Sequence, residues 1–133
     1  MKRSPRTPRS QLILALGAFA LVAAAFIPTA QPSSKLARSR LDAAAKVYPV
    51  VSAQYGNGMQ TVDSVYQWSE RWFEADRAVN GNGSASQEHL KRMLALETLV
   101  KSRVQSGTAS NADALAVTYY RAEAELWAAE PPR

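Results

Sequence analysis

Between residues 35 and 130 apolar side chains recur at spacings of three and four, in four segments separated by glycine-rich breaks. That periodicity admits helices packed lengthwise and leaves no stretch alternating as a half-buried strand does, so the expected fold is all-α. The first segment runs from about Lys35 to Tyr55, with Ala37, Leu41, Ala44, Tyr48, Val51 and Tyr55 as its seam. Pro49 lies inside it, and because proline lacks an N–H and clashes with the preceding turn, a kink or break is expected near residues 47–50. Gly56-Asn57-Gly58 ends the segment.

Thr61 has the side chain to cap the second helix, Asp63 suits its positive end, and Val62, Val65, Trp68, Trp72, Ala75 and Val79 form the stripe. Asn80-Gly81-Asn82-Gly83 is expected to be a flexible loop, after which Ser84 or Ser86 opens a third helix, Ser84 with Gln87 as a capping box. The face of that helix is Leu90, Met93, Leu94, Val100 and Val104, and Gly107 stops it. Ser110 and Asp113 have capping-box spacing, and Ala112, Leu115, Tyr119, Ala122, Leu126 and Ala129 form the seam of a fourth helix, which Pro131-Pro132 ends.

The expected architecture is two helical hairpins, residues 35–80 and 84–130, forming a four-helix bundle or antiparallel coiled-coil hairpins. The hairpins look like copies of one unit: Gly58 falls on Gly107, and one inserted residue places Asp63 on Asp113 and Arg71 on Arg121. Residues 31–34 read as a linker.

Ahead of the linker, residues 12–27 are uninterrupted apolar sequence behind Lys2, Arg3, Arg6 and Arg9, the order of a signal peptide's charged and hydrophobic regions. Sixteen helical residues span about 24 Å, against about 30 Å of bilayer hydrocarbon. Residues 1–30 are therefore either a cleaved signal peptide or a signal-anchor helix with its N-terminus in the cytoplasm. Either predicts an exported, periplasmic domain, soluble after cleavage or held at the inner membrane through residues 12–27.

The formal net charge of +5 is concentrated before the apolar run, since residues 31–133 carry 12 Lys and Arg against all 11 acids. A nucleic-acid reading needs a basic face on the folded part and is not expected. With no Cys there is no disulfide or thiolate site, and His89, the only histidine, has no partner for a zinc or copper centre. It is expected on the surface. No Gly-x-Ser-x-Gly elbow is present, and no Lys-Ser/Thr follows the glycines at phosphate-loop spacing.

Glu70, Glu74, Asp76, Glu123 and Glu125 are expected on solvated faces, Glu74 with Arg77 and Arg121 with Glu125 as helix-surface pairs. Asp76 and Glu97 fall inside apolar stripes. They either reach water at the seam edge or meet Arg40 or the hydroxyls of Tyr48, Tyr55 or Tyr119 and fix helix register. Trp68, Trp72, Phe73, Tyr119, Tyr120 and Trp127 are read as core, with a partner-binding surface as the alternative. No catalytic, cofactor-binding or metal-binding residue is assigned, and neither a cofactor nor a small-molecule ligand is expected.

Residues 104–115, with Ser110 and Asp113 after Gly107, followed by Tyr119-Tyr-Arg-Ala-Glu-Ala-Glu-Leu126, resemble the helical-hairpin repeat of outer-membrane efflux proteins of the TolC type. They look similar also to short bacterial exported proteins built on that hairpin. The resemblance implies the hairpin shape and an envelope location, and it carries over no functional residue. No segment alternates like the barrel strands of that family, so a complete channel is not expected. The expected function is that of a non-enzymatic exported domain acting through helix–helix contacts with itself, as a homo-oligomer, or with an envelope partner. The alternative is an accessory component of a membrane efflux or transport system.

Overall fold

In the computed structural model, residues 32–130 are described, and they form α1 (Pro32–Gly56), α2 (Val62–Asn80), α3 (Asn82–Gln105) and α4 (Asn111–Ala129). The fold of the described residues is all-α. The expected signal or anchor segment, residues 1–30, lies outside them. Among the described residues no helix is long and apolar enough to cross a membrane. Each helix packs mainly on its neighbours in the chain: α1 on α2, α2 on α3, α3 on α4, with a lighter contact between α2 and α4.

The seam expected for α1 faces inward, with Ala44, Val51 and Tyr55 buried and Ala37, Leu41 and Tyr48 half-buried. Two expectations for this helix are corrected. It begins at Pro32, so residues 32–34 belong to its first turn, where a missing N–H costs nothing. It also runs through Pro49, which is exposed, so of the expected kink or break the break does not occur. The penalty of an internal proline, about 3 kcal/mol, is offset by packing on both sides of it. Tyr48 meets Trp72 with ring centroids 5.6 Å apart, and Val51 and Tyr55 join the central cluster with Val65, Met93, Val100 and Val117.

Thr61 caps α2, its hydroxyl accepting from the Ser64 N–H at 3.2 Å. The capping box at Ser110 and Asp113 is complete: Asp113 N donates to Ser110 Oγ at 3.1 Å, and Ser110 N donates to Asp113 Oδ2 at 2.9 Å. The turns that precede these caps share one geometry. Gly58 N donates to Tyr55 O at 2.9 Å and Met59 N to Gln54 O at 2.9 Å, while Gly107 N donates to Val104 O at 3.0 Å and Thr108 N to Arg103 O at 2.8 Å. Gly58 and Gly107 both adopt φ +75°, the left-handed conformation of a helix C-terminus. Thr61 and Ser110 then stand at the same place in the two turns, with no inserted residue between turn and cap.

The expected flexible loop at residues 80–83 is instead a joint of one residue. Gly81, at φ 91° and ψ 167°, links α2 directly to α3, and its N–H donates to Arg77 O at 3.1 Å. Because α3 already begins at Asn82, neither Ser84 nor Ser86 is its cap, and Ser86 Oγ donates within the first turn to Gly83 O at 3.1 Å. On α3 the buried line is Ala85, His89, Met93, Leu96 and Val100, with Leu94 turned outward at 44% exposure.

Candidate interaction surface and buried polar core

Two faces of α2 are buried, and the second was only partly legible in the apolar pattern. Ser69, Phe73 and Asp76 form it, facing α3. There His89 has no exposure at all, which corrects the expected surface histidine. It is held as an aromatic ring among rings: its centroid lies 5.4 Å from Phe73 and 5.3 Å from Trp127. Arg92 Nε donates to Ser69 Oγ at 2.8 Å and Arg92 Nη2 to the Ser69 carbonyl at 3.2 Å. Ser69 Oγ also lies 2.9 Å from His89 Nδ1, a hydrogen bond in which the tautomer of the ring sets the donor, and His89 Nε2 has no hydrogen-bond partner among the described residues. Burial, with the Arg92 guanidinium beside it, pushes the His89 pKa down to about 4. The ring is neutral over the ordinary pH range.

A serine hydroxyl at this distance from imidazole is the geometry of an activated nucleophile. Here both side chains are sealed from solvent, and the arrangement is a packed polar core. The Arg92 charge is itself enclosed, with its guanidinium carbon 4.2 Å from the Trp72 centroid and 5.7 Å from that of Tyr48. Cation–π attraction and two acceptors on Ser69 replace the water it gives up.

The two carboxylates that fall inside apolar stripes find partners other than those expected. Asp76 is 8% exposed and accepts from Asn80 Nδ2 at 2.6 Å. Glu97 lies 2.9 Å from Lys101 Nζ and 3.1 Å from Arg121 Nε, which ties α3 to α4. Arg40 instead pairs with Glu74 at 2.9 Å, leaving Arg77 over the Phe73 ring at 5.3 Å. The Arg121–Glu125 pair forms as expected. Of the tyrosines, Tyr66 and Tyr120 stack with centroids 3.9 Å apart, and their hydroxyls donate to Glu123 and Asp63. Burial and these carboxylates push both hydroxyl pKa values up.

A cavity of about 290 Å³ lies beside the Phe73–Trp127 stack, with Glu70, Glu74 and Arg77 in its wall. Arg77 already occupies the Phe73 face there. Among the described residues no group of three or more His, Asp or Glu is placed to hold a metal ion.

The largest departure from the expected core is on α4. Leu115 is 74% exposed, Tyr119 63% and Leu126 69%, and Ala112, Ala122 and Ala129 are exposed with them. The expected seam of this helix therefore faces away from the bundle. Its inward side is the opposite one, where Val117 and Ala124 are fully buried and Ala114, Ala116, Tyr120 and Trp127 are half-buried. Written as heptads from Ala112, the first, fourth and seventh positions are exposed through to Ala129, and every other position is buried or half-buried. The helix is apolar on both sides, so its sequence carries a core-like stripe on the face that the bundle does not use.

Among the described residues, the helices thus define an all-α array with an enclosed polar core and an open apolar helix face. Compared with known protein families, curated proteins and solved structures, the chain matches none.

Proposed function

We propose that this chain is a non-enzymatic helical interaction domain, acting through helix–helix contact on the outward face of α4. The observation that carries the reading is the exposed line Leu115, Tyr119, Ala122 and Leu126. A helix with two apolar faces belongs between two layers, and α4 has its own bundle on one side only. The outward line keeps the spacing of a coiled-coil seam, which suits another helix better than a small ligand. Export to the envelope is the accompanying proposal, and it rests on the basic residues and apolar run before residue 28.

The test is a photo-reactive amino acid placed at Ala122 of the full-length chain in its native cells, with Ser102 on exposed α3 surface as the control. Adducts from Ala122 and none from Ser102 are expected. No adduct at Ala122, or equal labelling at both positions, overturns the reading. An adduct with a transporter subunit would narrow it to the accessory role in transport. Fractionation with intact-mass measurement tests the location, since a soluble species lacking about 30 residues and a full-length membrane species separate signal from anchor.

A further inference from the structure

We infer that the first two turns of α1 dock on an anionic phospholipid surface, with Lys35 and Arg38 taking lipid phosphates and Leu36 entering the boundary of the acyl chains. The inference uses a different face from the α4 contact, and it rests on the reading of residues 12–27 as a segment that enters a bilayer. From Ser33 to Arg40 every residue except Ala37 is exposed, Leu36 at 72%. These turns therefore have little of the bundle to pack on. Cations beside an exposed leucine at a helix end are the chemistry of an interfacial segment, in which long basic side chains reach the headgroups and the apolar one goes deeper.

Three observations point to lipid phosphate. No acid occurs in the chain before Asp42, and the first turn of α1 carries none, whereas α2 and α4 have Asp63 and Asp113 in theirs. Lys35 and Arg38 thus stand near the positive end of a helix dipole, which disfavours cations, and neither has an ion-pair partner among the described residues. Phosphate there answers the side-chain charges and the dipole together. Next, a cavity of about 260 Å³ opens beside Arg38, between the start of α1 and the end of α2, walled also by Ser34, Ala37, Ala78 and Val79. One guanidinium at an apolar wall suits a phosphate joined to hydrocarbon. Last, five Cα steps separate Ile27, the end of the apolar run, from Pro32, at most about 18 Å. A bilayer that holds the run has the start of α1 at its headgroups.

The chain contains no cysteine, so an introduced one takes a label without background. Leu36→Cys and, as control, Ala53→Cys, also exposed but about 26 Å further along α1, each carry the same environment-sensitive fluorophore. The full-length chain is reconstituted into vesicles of phosphatidylcholine alone and of two parts phosphatidylcholine to one part phosphatidylglycerol. In the phosphatidylglycerol vesicles the Leu36 label is expected to shift to the blue and to be quenched by a lipid-borne quencher, and in phosphatidylcholine alone to emit as in water. The Ala53 label is expected to emit as in water in both. Lys35→Glu with Arg38→Glu is expected to abolish the shift and leave the helical circular dichroism unchanged, since both side chains are exposed. Raising the salt concentration is expected to weaken the shift in the unsubstituted background.

The same emission from the Leu36 label in both kinds of vesicle, a shift that survives the double substitution, or an equal shift at Ala53 would each overturn the docking. Flotation separates this from the reading on which it rests. If the chain floats with the vesicles while the Leu36 label ignores phosphatidylglycerol, the docking fails and entry of residues 12–27 into the bilayer stands. If the chain does not float with either kind, both fail.

Discussion

The guanidinium of Arg103, at the end of α3, lies 4.8 Å from the Tyr55 ring centroid and donates to the Tyr55 carbonyl at the end of α1. The same side chain donates to Gly56 O at 2.5 Å and to Thr108 O at 2.9 Å. One arginine therefore satisfies terminal carbonyls of α1 and fixes the turn after α3. A helix end has carbonyls with no intrahelical partner, and a cation there is also favoured by the helix dipole.

Arg103→Met keeps the apolar stem and removes the donors. Water can reach Gly56 and Thr108, which are exposed, so the loss is expected to be about 2 kcal/mol rather than the full cost of buried orphan groups. Urea unfolding should show a lower midpoint with an unchanged slope. An unchanged midpoint would mean that the turns hold themselves.

The His89 pKa of about 4 in the folded chain lies below the unfolded value of 6.5. Between those values the unfolded chain binds the extra proton and the folded chain does not, so stability falls as pH drops from 6.5 towards 4 and is unaffected by this group above about pH 7. A shift of this size corresponds to about 3 kcal/mol across the window. In His89→Phe, which keeps an aromatic ring between Phe73 and Trp127, that part of the pH dependence is expected to vanish. Denaturant unfolding of both proteins at pH 4.5, 5.5 and 7.5 gives the difference directly, and parallel curves would remove His89 as the cause.

Helix existence and the caps at Thr61 and Ser110 were legible because they depend on local chemistry: a side-chain oxygen, three residues, a free N–H. The orientation of α4 was not. Periodicity identifies an apolar stripe without saying what it meets, and on a helix with two apolar faces the line of Leu115, Tyr119, Ala122 and Leu126 keeps the same spacing as the line of Val117, Tyr120, Ala124 and Trp127 that packs inside. His89 was missed for a related reason. A lone histidine reads as polar until Ser69, twenty residues earlier, is known to supply its hydrogen bond and two rings its packing. The visible signal was that Ser69, Phe73 and Asp76 keep spacings of four and three on α2, although two of them are polar. The joint at Gly81 shows the same limit, since four consecutive Asn and Gly residues suit a long loop and a one-residue hinge equally.

Pro49 is exposed within a continuous α1. Pro49→Ala restores an N–H to the helix ladder and removes the ring's clash with the preceding turn, which favours the folded state by up to about 3 kcal/mol. The more flexible unfolded chain returns about 0.4–1 kcal/mol of that. A net gain of about 2 kcal/mol is expected, read as a higher melting temperature and urea midpoint. A loss of stability would show that α1 is shaped by the proline for its contact with α2.

Glu97 on α3 and Arg121 on α4 form an ion pair across the two helices. Arg121 Nε sits 3.1 Å from Glu97 without an aligned hydrogen bond, and the guanidinium also reaches Glu125, so the carboxylate of Glu97 is one of two supports. Both Glu97 and Arg121 are largely enclosed, at 13% and 28% side-chain exposure, which limits screening by water. A double-mutant cycle with Glu97→Gln and Arg121→Met is expected to give a coupling of about 1 kcal/mol, above that of an exposed pair. If the coupling is near zero, burial of Val117 and Ala124 alone sets the rotation of α4. The cycle should be measured at 0.05 M and 0.5 M salt, because a pair held this close retains most of its coupling at the higher concentration, whereas the exposed Arg40–Glu74 pair should lose its own.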